Sequence, residues 1–226
     1  PPKNVPTVAD PKLIMQVRTA EQLTRELADL RPAYIYVPAM IMAAEPKLVL
    51  PFVEKGAVPV AVLPRIVNDA QMKEVYATLQ KLFDYGVNEA LVGNLGQVVM
   101  ARSAGMKLRG DFGLNAFNSY TLEMLNDMGF LSATASFELR IAQIKDMAKP
   151  LDTELIIYGR LPLMVSDQCI IKESAGRCAC QTPAQMADRM GSVFPVVKEY
   201  GCRNVVYNAH KLYLADKKED LYSAGL

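Results

Sequence analysis

The chain has 226 residues, 51% hydrophobic and 22% charged, as in a globular protein with a sizeable core. Lys and Arg number 25 against 24 Asp and Glu, a net charge of +1, so no bulk basic field marks it for nucleic acid or an anionic membrane. No uncharged apolar run approaches the roughly 18 residues of a membrane span, and Pro1-Pro2-Lys3-Asn4 does not open a signal peptide; the expectation is a cytoplasmic protein with no membrane partner.

Residues 1–11 hold four prolines and no periodicity, and read as a linker. Lys12–Val17 is the first apolar strand signal. Thr19 and Gln22 then form a capping box for a helix to about Leu30. Tyr34–Val37 is the second strand, with a helix near 45–55. Val58–Leu63 is the third. Asn68 caps the helix that follows, which runs to about Tyr85 and ends at Gly86. Glu89–Val92 is the fourth, with a helix near 95–105. Leu108–Asp111 is the fifth, with a helix near 119–128 that stops at Gly129. Ser132–Ala135 is the sixth, with a helix near 138–148. Leu155–Tyr158 is the seventh and Asn204–Tyr207 the last, followed by a helical tail near 216–224.

These eight runs are near-continuously apolar, as parallel strands buried on both faces are. Most are one helix apart, the βαβ pattern. The expected fold is α/β: a (β/α)8 TIM-like barrel over 12–226, with an open doubly wound sheet as the runner-up. The chain lacks an initiator Met and ends at Ser223-Ala224-Gly225-Leu226. It reads as a domain excised from a longer protein, whose other domains are expected partners.

The connection over 159–203 is far longer than the others, and long connections are usually functional. Cys169, Cys178 and Cys180 lie on it, and Cys202 closes it; 1–168 holds no cysteine. Four free thiols packed as small hydrophobes, or two disulfides, are the plain alternatives. The functional one is a four-thiolate metal centre, zinc or an iron–sulfur cluster. The spacing C-x8-C-x-C-x21-C is neither a zinc-ribbon pair nor a ferredoxin run. Arg177 and Arg203 stand near these thiols and are expected to help hold thiolate charge.

Arg18, Arg65, Arg140 and Arg160 each closely follow a strand signal. In a barrel such strand ends converge on one face, where guanidinium forks hold carboxylate or phosphate. Surface salt bridging is the alternative for any one of them. Arg109, within or at the start of its strand, is set aside. Asp111, Asn115 and Asn118 follow the fifth strand, Ser136 and Glu138 the sixth, and Asn208 and His210 the eighth. Each is a candidate pocket residue or a helix cap. His210 is the one histidine, with Cys202 at the opposite end of the last strand. No H-E-x-x-H or G-x-S-x-G motif occurs, and no catalytic residue is assigned.

The run Glu154–Cys169 (ELIIYGRLPLMVSDQC) resembles the signature of the collagenase-like peptidases, family U32. So do Gly110–Asn115 with Asn118-Ser119, the run Ser136–Leu139, and Val206-Tyr207-Asn208. The likeness runs in order over roughly 12–226. Tyr158 stands where the family usually has His, Arg160 where it has a small residue, and Pro162 where a Cys is common. The resemblance implies one of two activities: peptidase or collagenase, or the iron–sulfur branch that serves hydroxylation of RNA or ubiquinone precursors. In that branch Cys169 matches the signature cysteine, and Cys178, Cys180 and Cys202 become candidate cluster ligands. Arg18, Arg65, Asp111, Asn115, Glu138, Arg140, Arg160 and Asn208 are the candidate substrate-binding residues. The expected partner is an anionic small molecule or RNA. A zinc-stapled binding or scaffold domain is the remaining alternative.

Overall fold

The computed structural model describes residues 2–3 and 11–225. The linker expected over 1–11 therefore lies, apart from Pro2, Lys3 and Pro11, outside the described residues. The chain divides into two compact units: 1–155 with 219–226, and 156–218. The sequence reading expected one barrel domain over this length.

The first unit alternates strand and helix. Its strands are β1 (Ile14–Gln16), β2 (Tyr34–Pro38), β3 (Val58–Val62), β4 (Glu89–Val92), β5 (Lys107–Gly110), β6 (Phe130–Thr134) and β7 (Asp152–Glu154). Between them run α1 (Arg25–Asp29), α2 (Ala39–Ala44), α3 (Leu50–Val53), α4 (Asp69–Asp84), α5 (Val98–Ser103), α6 (Ser119–Asp127) and α7 (Ile141–Asp146). All seven strands pair in chain order and in parallel.

Local chemistry sets several helix ends. Asn68 Oδ1 accepts the Gln71 N–H at 3.2 Å and starts α4; Gly86, at φ 89°, ends it in the left-handed region that glycine tolerates. Asn118 Oδ1 accepts the Thr121 N–H at 3.0 Å and starts α6. The box at Thr19 and Gln22 closes only a 3-10 turn, Ala20–Gln22, because Leu23 leaves helical geometry at ψ 69°. Thr24 then caps α1 afresh.

Alternation along the strands builds two layers. Ile35, Val37, Ala61, Ala90, Val92, Leu108 and Ala133 are buried on the helix-facing side. The opposite side carries an apolar cluster of Tyr36, Val60 and Leu91, with Ile14, Tyr34 and Val62 packed on it. That second side is concave. The Tyr36 hydroxyl on β2 donates to Glu154 Oε1 on β7 at 2.7 Å. A flat sheet would hold these strands about 24 Å apart, five spacings of roughly 4.8 Å.

Among the described residues the strands do not close into an eight-stranded barrel: β1 pairs only with β2, and β7 only with β6. The run expected as strand eight, Asn204–Tyr207, is buried throughout but belongs to the second unit, where its neighbours are antiparallel. An apolar run announces a central strand and not which sheet contains it. The seventh strand also lies earlier than the apolar run 155–158: β7 is the polar Asp152–Glu154, and Leu155 instead packs with Ala135, Ile144 and Ala224.

The second unit contains β8 (Tyr158–Gly159), β9 (Pro162–Ser166), α8 (Ile170–Ala175), β10 (Ala184–Ala187), β11 (Val193–Lys198), β12 (Asn204–Tyr207) and β13 (Leu212–Tyr213). Four strands form an antiparallel sheet in the order β10-β11-β12-β9, and β8 pairs with β13. The 159–203 connection is thus a small sheet with one helix rather than a loop. Pro195 is tolerated inside β11 because β12 pairing begins one residue later, at Val196. A last helix, α9 (Lys218–Ser223), closes the chain. No helix among the described residues is long and apolar enough to cross a membrane.

Candidate functional site

In the first unit the concave face carries a buried charge network. Arg109 is 4% exposed. Its Nε donates to Glu89 Oε2 at 2.5 Å, and its Nη1 donates to Ser132 Oγ at 2.9 Å and Glu154 Oε1 at 3.2 Å. Its guanidinium lies 3.8 Å from the centroid of the Tyr34 ring. Ser132 and Thr134 donate to Glu154 as well. A buried charge demands such partners. Burial opposes the charge of Arg109, but Tyr36 and Glu89 hold it firmly protonated. Burial, then the Glu154 charge, pushes the Tyr36 phenol far above its ordinary range. Reading the sequence missed this group by setting Arg109 aside. The available signal was the charge of Glu89 and Arg109 inside otherwise apolar strand runs.

The predicted mouth residues of this unit follow β1, β3, β5 and β6, so parallel pairing puts them at one end of the sheet. Arg65 is exposed, and its guanidinium lies 4.9 Å from the Phe112 ring centroid. Phe112 in turn packs on Phe137 with centroids 5.3 Å apart. Asp111 Oδ1 accepts the Phe112 N–H at 2.8 Å. Asn115 adopts left-handed backbone at φ 57°. The Glu138 N–H donates to Ser136 Oγ. Arg140 precedes α7 and reaches Gln143 Oε1 at 3.5 Å, and the Arg18 N–H donates to Gln22 Oε1 at 2.7 Å. Arg18, Arg140 and Glu138 are exposed.

Arg160 and Asn208 are not at a strand end of this sheet. β7 ends at Glu154, and Arg160 follows the short β8 of the second unit. There its Nη1 donates to the carbonyls of Asn208 and Ala209. Asn208 Oδ1 accepts the His210 N–H at 3.1 Å. Arg160 and His210 line an open cleft of about 550 Å³ with Gln185, Met190 and Pro195 among others. No cysteine is among the described residues lining it.

All four cysteines lie in the second unit and carry free thiols. Cys169 starts α8, and its Sγ accepts the Lys172 N–H at 3.4 Å. Cys169 and Cys180 both pack on the cluster of Ile171, Val196 and Val206. The sulfurs of Cys178 and Cys180 are 3.6 Å apart. Two thiolates about 2.3 Å from one tetrahedral ion stand roughly 3.8 Å apart, so this pair fits a shared metal. Cys202 is exposed, in left-handed backbone at φ 62°. The four do not form one preassembled quartet: among the described residues no three His, Cys, Asp or Glu side chains gather into a metal-holding group.

The Cys180 backbone N–H, then its thiol, hold the Cys178 thiol below its ordinary range, with Lys198 and Lys172 adding to the effect. The Cys180 thiol is pushed up, first by its hydrogen bond with Cys178. Arg203, expected beside the thiols, is instead buried in an ion pair with Asp167 at 2.7 Å. Lys198 and Lys172 are the cations that favour the Cys178 thiolate.

A sequence model of Peptidase family U32 matches residues 52–225. No curated protein sequence matches the chain. Among solved structures, the Bacillus cereus spore cortex-lytic enzyme SleL is similar at 9% identity with a TM-score of 0.47, over 99% of this chain and 68% of that one. A likeness this weak fixes neither fold nor activity. The family match runs through both units and well over half of the residues: the chain belongs to peptidase family U32.

Proposed function

We propose that the chain, with its seven-stranded parallel unit and its cysteine unit, is part of an iron–sulfur protein serving hydroxylation of RNA or a small aromatic substrate. The observation that carries this is the 3.6 Å approach of the Cys178 and Cys180 sulfurs, within a unit that holds all four thiols. Cys169, Cys178, Cys180 and Cys202 are the proposed ligands. A preformed quartet is not required, because metal binding and local folding are coupled. Bound, an iron–sulfur cluster supplies one-electron chemistry.

The remaining steps belong to side chains of the chain. Lys198 and Lys172 favour thiolate at Cys178, the form that binds metal. Arg65, backed by the Phe112 and Phe137 rings, presents a cation and an aromatic surface suited to an anionic aromatic or a nucleotide. Arg18 and Arg140 follow strands at the same end of the sheet. The Arg109 network fixes strands β2, β4, β5, β6 and β7 beneath them.

Anaerobic purification with iron, sulfide and zinc analysis tests the metal. A protein that binds neither iron nor zinc through these thiols sinks the reading. Peptide turnover by metal-free protein, abolished by His210→Ala, would favour peptidase activity instead.

A further inference from the structure

We propose that Asn204 donates a side-chain N–H to a sulfur of the thiolate-held centre and so positions and tunes it. This rests on the cysteine unit holding a metal, as proposed above.

Asn204 is fully buried at the start of β12. Alternation puts its side chain on the same face as Val206. Across the ladder that face continues into β11 through Val196, opposite Val206, and Lys198, opposite Asn204. Val206 and Val196 are the residues on which Ile171, Cys169 and Cys180 pack. Asn204 therefore lies under the cysteine-bearing segment.

Its orientation is fixed. Asn204 Oδ1 accepts the Ile171 N–H at 3.2 Å. A backbone N–H only donates, so the amide oxygen must face α8 and Nδ2 must point elsewhere. Nδ2 has no hydrogen-bond partner among the described residues. A buried amide donor left unpaired is costly, and such exceptions in native proteins call for an explanation. The neighbouring first-turn amide of α8, Lys172 N–H, goes to Cys169 Sγ. One turn of helix thus links the Asn204 oxygen to a cysteine sulfur, and the unpaired donor shares the face on which Cys169 and Cys180 pack. Hydrogen bonds to cluster sulfurs draw off negative charge and raise the reduction potential. Partners of this kind also change metal affinity.

The test compares wild type, Asn204→Asp and Asn204→Leu, each reconstituted anaerobically with ferrous iron and sulfide, and separately with Co(II). Asn204→Asp keeps an acceptor for Ile171 and removes the donor. Asn204→Leu removes the donor without adding charge. The expected result is a more negative reduction potential in both, and Co(II) affinity about tenfold weaker in Asn204→Leu. If neither variant folds, pulsed electron paramagnetic resonance of the reduced wild-type centre, with 15N only in asparagine, replaces them. A weak nitrogen coupling upholds the proposal, and its absence overturns it. Variants with the wild-type potential, spectrum and affinity overturn the role of Asn204 and leave the metal reading standing. A wild type that binds neither iron nor Co(II) overturns both.

Discussion

The Tyr36 hydroxyl and Glu154 Oε1 are 2.7 Å apart although four strands separate β2 from β7 in the sheet. The seven strands therefore wrap around an interior that is polar at its centre. Arg109 joins both ends of this arrangement, stacking on Tyr34 and pairing with Glu154.

Removing one charge from this network should be costly. Glu154→Leu takes one of the two carboxylates from Arg109, leaving Glu89, and strips Tyr36, Ser132 and Thr134 of their acceptor. We expect a loss of about 3–5 kcal/mol. Tyr36→Phe deletes one hydrogen bond and should cost about 1 kcal/mol. Urea unfolding followed by far-ultraviolet circular dichroism measures both, the chain having no tryptophan. Equal, small losses would show that the network is not cooperative.

Gly113 follows β5 where the chain passes close to β4. A Cβ there would stand 2.5 Å from the Gly93 carbonyl oxygen, a backbone atom that cannot swing aside. Gly113→Ala should destabilise by about 1–3 kcal/mol, the usual cost of overpacking. Gly56→Ala meets open space but sits at φ 92°, so its cost is conformational. Gly113→Ala, and not Gly56→Ala, should disturb the Arg65–Phe112 stack, read from phenylalanine ring shifts by NMR.

The cysteine pair predicts a pH signature in reduced, metal-free protein. The Cys178 thiol is lowered, first by the Cys180 backbone N–H, while the Cys180 thiol is raised by Cys178. Thiolate is the reactive form. Alkylation at Cys178 should therefore rise at lower pH than at Cys180, as resolved by mass spectrometry. Cys180→Ala should move the Cys178 profile upward. Identical profiles for the two residues would contradict the hydrogen bond between them.

Much of the first unit was legible in the sequence. Asn68 with Gly86 bracket α4, and Asn118 with Gly129 bracket α6, because caps and left-handed glycines are local signals. Strands β2 to β6 follow from their apolar runs. The failures share one cause: an apolar run reports burial and not its partner. Asn204–Tyr207 is as buried as a barrel strand, yet pairs antiparallel with β9 and β11. β7 escaped because its inward residue is Glu154, polar in service of Arg109. At the site, the sequence gathers the cysteines onto one segment, but only the fold shows that Cys178 and Cys180 are the pair whose sulfurs approach to 3.6 Å.

The mouth of the first unit makes a separate prediction. With Arg65 holding a phosphate, Arg65→Ala should weaken binding of a short single-stranded RNA and lower its salt dependence by about one counterion. Fluorescence anisotropy over a salt series reads both. Unchanged affinity and slope would remove Arg65 from the binding surface.

Anaerobic reconstitution of the whole chain with ferrous iron and sulfide, read by visible absorption together with iron and sulfide content, tests the central claim most directly. Wild type should colour and retain both elements. The double variant Cys178→Ser with Cys180→Ser should stay colourless while keeping its circular dichroism. A colourless wild type without bound metal, or a double variant that colours as well as the parent, would contradict the account.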